Sequence, residues 1–166
     1  METIYFKGTP CHTYGNIPAV GTKAPCFNLV TKDLKDIRCQ DYIGKRVVLN
    51  IFPSLDTEVC ALSVRRFNKE AAALRNTDVI CVSMDLPFAE ARFCSANGIE
   101  NVTVASAFRS PTFSQQFGLQ IVDGPLAGLL ARAVIVLDEH HRVIFSDLVE
   151  EITNEPDYEG AISVLK

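Results

Sequence analysis

Val47-Val48-Leu49-Asn50-Ile51-Phe52-Pro53, continuing as Ser54-Leu55-Asp56-Thr57-Glu58-Val59-Cys60, is the stretch that decides the fold. Its first six residues form a near-continuous apolar run, which suits a central strand buried on both faces. Pro53 ends the run, because proline cannot donate to a sheet ladder. A helix follows: Cys60, Val64, Phe67, Ala71 and Leu74 recur at the helical period, and Arg65, Arg66, Lys69 and Glu70 fill the opposite face. Asp56 or Thr57 is placed to cap this helix, Glu58 adds negative charge to its first turn, and Asn76 lies near its end.

Working outward, Val79–Ser83 is a second strand of buried type. Asp85-Leu86-Pro87 starts another helix by cap-plus-proline logic, running through Phe88, Ala91 and Cys94 to Asn97-Gly98. Val102–Ala105 is a short strand and Ser110–Phe117 a short helix. Ala133–Leu137 is a strong strand, turned by Asp138-Glu139-His140-His141 into Val143–Ser146. Pro156 opens a last helix, with Tyr158, Ala161, Ile162 and Leu165 on one face. Upstream, Thr3–Lys7 and His12–Tyr14 flank Gly8-Thr9-Pro10 as an N-terminal β-hairpin, and Phe27–Thr31 pairs with Asp36–Arg38. A βαβ crossover followed by a ββα unit on one mixed sheet is the thioredoxin-like arrangement. The expected class is therefore α/β, a central mixed sheet flanked by helices with an N-terminal hairpin, in a single domain over residues 1–166.

Composition bounds the function. The chain has 166 residues and a net charge of −4; 48% of residues are hydrophobic and 22% charged. That is ordinary for one globular domain. Basic residues cluster only in pairs such as Lys45-Arg46 and Arg65-Arg66, which argues against nucleic acid as a partner. The apolar runs are strand-length, far short of a bilayer. The first residues, Met1-Glu2-Thr3-Ile4-Tyr5-Phe6-Lys7, lack the features of a secretory signal, so the expected location is the cytoplasm.

Six cysteines are present: Cys11, Cys26, Cys39, Cys60, Cys81 and Cys94. In a reducing compartment they are expected as thiols, with any disulfide transient and catalytic. None pairs at C-x-x-C spacing, and the histidines (His12, His140 and His141) do not supplement them, so no metal site is expected. Cys81 reads as strand core, Cys11 as a surface hairpin residue, and Cys26 and Cys39 as structural or incidental. His140-His141 reads as a turn and Arg109 as a solvated arginine.

Chemistry concentrates where the strand ending at Phe52 meets the helix carrying Cys60, the junction at which open α/β sheets place ligands. A first-turn cysteine faces unsatisfied N–H groups and the positive helix end, both of which favour thiolate. Thr57 can aim its hydroxyl at the sulfur or at the group the sulfur attacks, and Pro53 can roof the site. Arg132 begins a buried strand, where an arginine is costly unless paired, and an anion such as the Cys60 thiolate would pay that cost. Read from the residues alone, Cys60 is either such a nucleophile or a small buried hydrophobe.

The stretch from Pro53 to Cys60 resembles the P-x-x-x-[TS]-x-x-C signature of the peroxiredoxins. Asn50–Cys60, Gly21–Leu29 with Ala24-Pro25 and Phe27, Asp85–Ala89 leading to Arg92-Phe93-Cys94, Asp123-Gly124-Pro125-Leu126, Ala131-Arg132-Ala133 and Glu151–Tyr158 are similar to the thiol peroxidase branch of that family. The likeness spans essentially the whole chain. It implies a peroxidatic Cys60 assisted by Thr57, Pro53 and Arg132, and Cys94 as resolving cysteine of the same subunit. It implies reduction of hydrogen peroxide and alkyl hydroperoxides, re-reduction by thioredoxin, a homodimer, and no cofactor. Leu86, Pro87 and Phe88 would then supply apolar surface near the site and favour alkyl hydroperoxides. Glu58 departs from the branch, which often has a small residue or proline there. The rival readings are a peroxide sensor or thiol relay using the same two cysteines, a non-catalytic thioredoxin-like module, and a metal-binding protein.

Overall fold

The computed structural model describes residues 1–166. Its frame is a seven-stranded mixed sheet. An interior strand of it is β5 (Arg46–Ile51), which follows a two-stranded hairpin β1 (Thr3–Phe6) and β2 (Thr9–His12), and the strands β3 (Asn28–Thr31) and β4 (Asp36–Arg38). Helix α1 (Glu58–Ala71) crosses over to β6 (Thr77–Ser83), and α2 (Pro87–Asn97) to β7 (Thr103–Ser106). Then come α3 (Pro111–Gln116), the hairpin β8 (Ala133–Leu137) and β9 (Val143–Leu148), and α4 (Tyr158–Ser163). The order across the sheet is β4-β3-β7-β6-β5-β8-β9. β5, β6 and β7 run parallel, and the flanking pairs are antiparallel.

Alternation along the central strands sorts the core into two layers. Val47, Leu49 and Ile51 of β5, with Ile80 and Val82 of β6 and Ile135 of β8, face a cluster holding Phe27, Phe113, Phe117 and the hairpin's Ile4. Val48, Cys81, Val134 and Val136 face the other layer, where Val64 and Phe67 of α1, Cys94 of α2, and Tyr158, Ala161 and Leu165 of α4 pack. Both faces are covered, which is why the β5 run needed no polar alternation.

Several local expectations are corrected. The N-terminal hairpin turns on Lys7-Gly8, both at positive φ, so Thr9 and Pro10 belong to β2. A two-residue turn of that hand matches strand twist, and Pro10 is tolerated because β2 is an edge strand. Thr57 is the residue before α1 but makes no capping bond, and Asp85 does not cap α2, whose preceding residue is Leu86. The buried stripe of α2 is Pro87, Glu90 and Cys94, and Phe88 lies 71% exposed. Asp157, not Pro156, starts α4, accepting from the Gly160 N–H. Cys11 is buried rather than at the surface.

Cys26 and Cys39 are joined in a disulfide, which corrects the expectation of six thiols; the other four cysteines are free and buried. The bond ties the segment before β3 to a 3₁₀ turn at Cys39–Tyr42, where the Cys39 N–H also donates to the Phe27 carbonyl.

Candidate active site

The sheet register brings the site together. Ile51 at the end of β5 pairs with Ala133 at the start of β8, which sets Arg132 across from Phe52, at the mouth of α1. On the other side Ile51 pairs with Val82 of β6, and the Phe52 N–H donates to the Val82 carbonyl. Strand β6 thereby delivers Ser83 and Asp85 to the loop that Pro53 begins.

Arg132 is buried, 2% exposed, and its Nη2 lies 3.3 Å from the Cys60 sulfur. Its Nε donates to the Ile152 carbonyl at 2.8 Å, so the guanidinium is held in one orientation. Its Nη1 is buried without a partner in the chain. An arginine cannot shed its charge at such a site. Besides the Ile152 carbonyl, the sulfur 3.3 Å away is the acceptor it has, and a thiolate accepts that bond far better than a thiol. Cys60 lies in the first turn of α1, is fully buried, and forms a hydrophobic layer with Phe52, Leu55 and Val64.

A cleft of about 470 Å³ opens over this pair, lined by Pro53, Thr57, Val59, Leu126, Leu129, Arg132 and others. Phe6 and Lys7 reach it from the hairpin, and Ile152 and Thr153 from the segment after β9. Pro53 is buried at its base. Thr57 lines the cleft, but its hydroxyl donates to the Ser54 carbonyl at 3.0 Å rather than to the sulfur. Glu58 is exposed, so its carboxylate is solvated at the rim. Cys94 is buried on α2, in the same layer as Cys60 and unbonded to it. Burial pushes its thiol pKa up, partly opposed by Lys32 and reinforced by Glu90 and Asp33.

Leu86 and Phe88 do not line the Cys60 cleft. They border a separate shallow hollow with Ala89 and Arg92, so the apolar wall over the sulfur comes from Phe6, Val59, Leu126, Leu129 and Ile152 instead. Sequence reading missed these because they come from four separate segments that only the fold collects.

Asp85 was missed as well. Its carboxylate accepts from the Leu55 N–H at 2.7 Å and the Ser54 hydroxyl at 2.9 Å, and also from the Ser83 hydroxyl at 2.7 Å. One side chain thus fastens the Pro53–Thr57 loop to the entrance of α2. The sequence signal was a serine on each side, Ser54 and Ser83, with an acid placed where a cap was expected.

A family model described as Redoxin matches residues 19–162, which takes in every residue of this constellation except the hairpin's contribution. The chain belongs to the redoxin family. This redoxin is 53% identical to a thiol peroxidase of Corynebacterium glutamicum over 165 residues, 99% of each chain. Among solved structures, a peroxiredoxin-like protein from Aquifex aeolicus superposes with a TM-score of 0.94 at 41% identity, covering 99% of this chain and 96% of that one. A thiol peroxidase from Chromobacterium violaceum shares the fold at a TM-score of 0.88 and 21% identity, over 98% and 94% of the two chains. The mixed sheet thus has the thioredoxin-like fold of the redoxins, and the superposition on the Aquifex aeolicus protein extends over 99% of the chain.

Proposed function

We propose that this redoxin is a thiol-dependent peroxidase that reduces hydrogen peroxide and alkyl hydroperoxides through Cys60. The observation that carries the reading is the Arg132 guanidinium, with one nitrogen 3.3 Å from the Cys60 sulfur and another buried and unpaired beside the cleft. The first is a charge-assisted donor to the sulfur; the second is free to donate to a peroxide oxygen. The likeness to the Corynebacterium glutamicum thiol peroxidase supports the same activity.

The Cys60 thiolate attacks the distal peroxide oxygen. The O–O bond breaks, that oxygen stays on sulfur as the sulfenic acid, and the departing alkoxide or hydroxide takes a proton to leave as alcohol or water. Negative charge builds on the leaving oxygen, where Arg132 offsets it. Pro53 shields the sulfur from bulk water, and Thr57 shapes the entrance. Cys94 is the resolving residue: its sulfur attacks the sulfenic sulfur, water leaves, and an intrasubunit Cys60–Cys94 disulfide forms. Cys94 is buried on a folded helix and unbonded to Cys60, and in this reading α2 opens to bring the two sulfurs together. Thioredoxin then restores both thiols by thiol–disulfide exchange and is itself oxidised. The chemistry is carried by sulfur and needs no cofactor.

The apolar cleft wall supports alkyl hydroperoxides as preferred substrates. A homodimer and a cytoplasmic location complete the reading; exposed Leu86 and Phe88 beside the start of α2 supply apolar surface for the former. Peroxide consumption coupled to NADPH through thioredoxin and its reductase tests the activity. Cys60→Ser is expected to abolish turnover. Cys94→Ser is expected to consume one peroxide per chain and then fail to recycle. Full turnover in the Cys60→Ser protein would overturn the assignment.

A further inference from the structure

Glu90 is a charged-type side chain on the buried stripe of a helix that otherwise exposes its polar residues. It is 0% exposed, and neither of its carboxyl oxygens has a hydrogen-bond partner in the chain. It stands one turn before Cys94, so the two side chains are neighbours on the same face of α2. A lone carboxylate there would carry the full cost of desolvation, and so would any polar group left without a partner. No cation offsets it: the titratable groups that face it are Asp85 at the entrance of α2, Cys81 on β6 and Cys94 on α2 itself. Lys32 and Asp33, in the turn between β3 and β4, bear on Cys94.

We propose that Glu90 primes α2 to unwind, its carboxyl stowed without a partner while Cys94 is buried and hydrated once Cys94 swings out towards Cys60. The proposal rests on Cys94 being the resolving cysteine, and it adds a reason why that helix gives way. Burial, with a smaller contribution from the charge of Asp85, pushes the Glu90 carboxyl up to about 9. The docked helix therefore holds Glu90 protonated at neutral pH, whereas an opened helix holds it in water as a carboxylate. Below the ordinary carboxylate range both states bind the proton and the docked form keeps its full stability. As pH climbs from there towards 9, the opened form gains and docking weakens. Opening releases one proton to solvent. When Cys94 then closes on the sulfenic acid, Cys60–SOH and Cys94–SH become the disulfide and one water, and the Glu90 carboxylate remains outside the core.

Glu90 is thus a positioning residue for the resolving step, and its signature is a pH profile. Hydrogen exchange on the reduced protein, without peroxide, measures α2 opening directly once rates are normalised to those of an unstructured chain. In the wild type, protection of residues 87–97 is expected to fall as pH rises from about 5 to about 9, by up to ~10-fold per unit. Glu90→Gln keeps the shape and the neutral form, so its protection should be flat across that range and more than ~10-fold higher at pH 7.5. The same variant should show slower Cys60–Cys94 closure after a peroxide pulse while its first, peroxide-consuming step is unchanged. Equal pH slopes in the two proteins would overturn the proposal. Should Glu90→Gln not fold, carbon-detected titration of the Glu90 carboxyl in the reduced wild type decides: a midpoint above 7 is expected, and one below 5 overturns it. Failure of the resolving reading looks different, with the exchange profile intact and no Cys60–Cys94 disulfide by peptide mass mapping.

Discussion

Arg132 occupies a position that only one kind of neighbour can justify. A guanidinium 2% exposed, fixed through Nε to a backbone carbonyl, needs an anion, and Cys60 is the group within reach. Lysine keeps the charge but cannot serve the Ile152 carbonyl, the sulfur and a peroxide oxygen together from a planar fork. Arg132→Lys is therefore expected to lower the second-order rate constant for peroxide by about 10- to 100-fold, the equivalent of losing one charge-assisted hydrogen bond. Stopped-flow kinetics of sulfenic acid formation would measure it. The pair was legible in the sequence, because an arginine opening an apolar strand is costly alone and a cysteine at a helix mouth offers it a partner. The orientation of Thr57 was not legible. Its hydroxyl could bond either the sulfur or the loop, and the Ser54 carbonyl, three residues back, captures it.

Two elements depend on single carboxylates. Asp85 holds the loop before α1, and Asp85→Ala leaves the Leu55 N–H and the two serine hydroxyls without their acceptor. A loss of roughly 1–3 kcal/mol is expected by denaturant titration, with faster exchange at the Leu55 amide. Glu151 holds the N-terminal hairpin, accepting from the N–H groups of Lys7, Gly8 and Thr153. These bonds, led by that from Thr153, pull its pKa below the ordinary carboxylate value. Their contribution is present above that ordinary value and is lost as pH falls through the lowered one. Acid should accordingly free the hairpin, and with it Phe6 and Lys7 over the cleft, before the central sheet opens; amide exchange at Lys7 and Gly8 against pH would show it. The strands and helices themselves were legible from periodicity, and their starts less so. Caps compete with loop contacts, and Asp85 is better satisfied by two donors of the loop and one at the end of β6 than by the end of α2. The face of α2 was misjudged for a related reason: with its entrance fixed by Asp85, the helix presents Glu90 to the core and leaves Phe88 outside, against the preference of either side chain.

Across the whole molecule, the Redoxin match and the mixed sheet agree with what β5, α1 and the flanking strands announced. What no local pattern could announce was which distant residues meet. Gly118 is one case: at φ +73 it lies so close to the backbone of Asn16 that any side chain would collide, and Gly118→Ala should loosen the N-terminal segment and lower the melting temperature. Cys26–Cys39 is another, since 13 residues of separation do not reveal pairing. Closing a loop of that length contributes about 3 kcal/mol, so Cys26→Ser with Cys39→Ser should melt several degrees lower, read by calorimetry, with peroxide turnover preserved. Leu137, the last residue of β8, and His141 in the turn after it border the hollow beside this bond, so the disulfide and the Arg132–Cys60 pair sit towards opposite ends of one strand. The bond also sets the ledger for any sulfhydryl titration. Unfolded after full reduction, the chain offers six groups to a thiol reagent; unfolded from its resting form without reductant it offers four, and on the proposed mechanism a peroxide pulse takes away two more without touching the pair already bonded. A reagent count, read in that order, separates the clip that shapes the molecule from the couple that turns over.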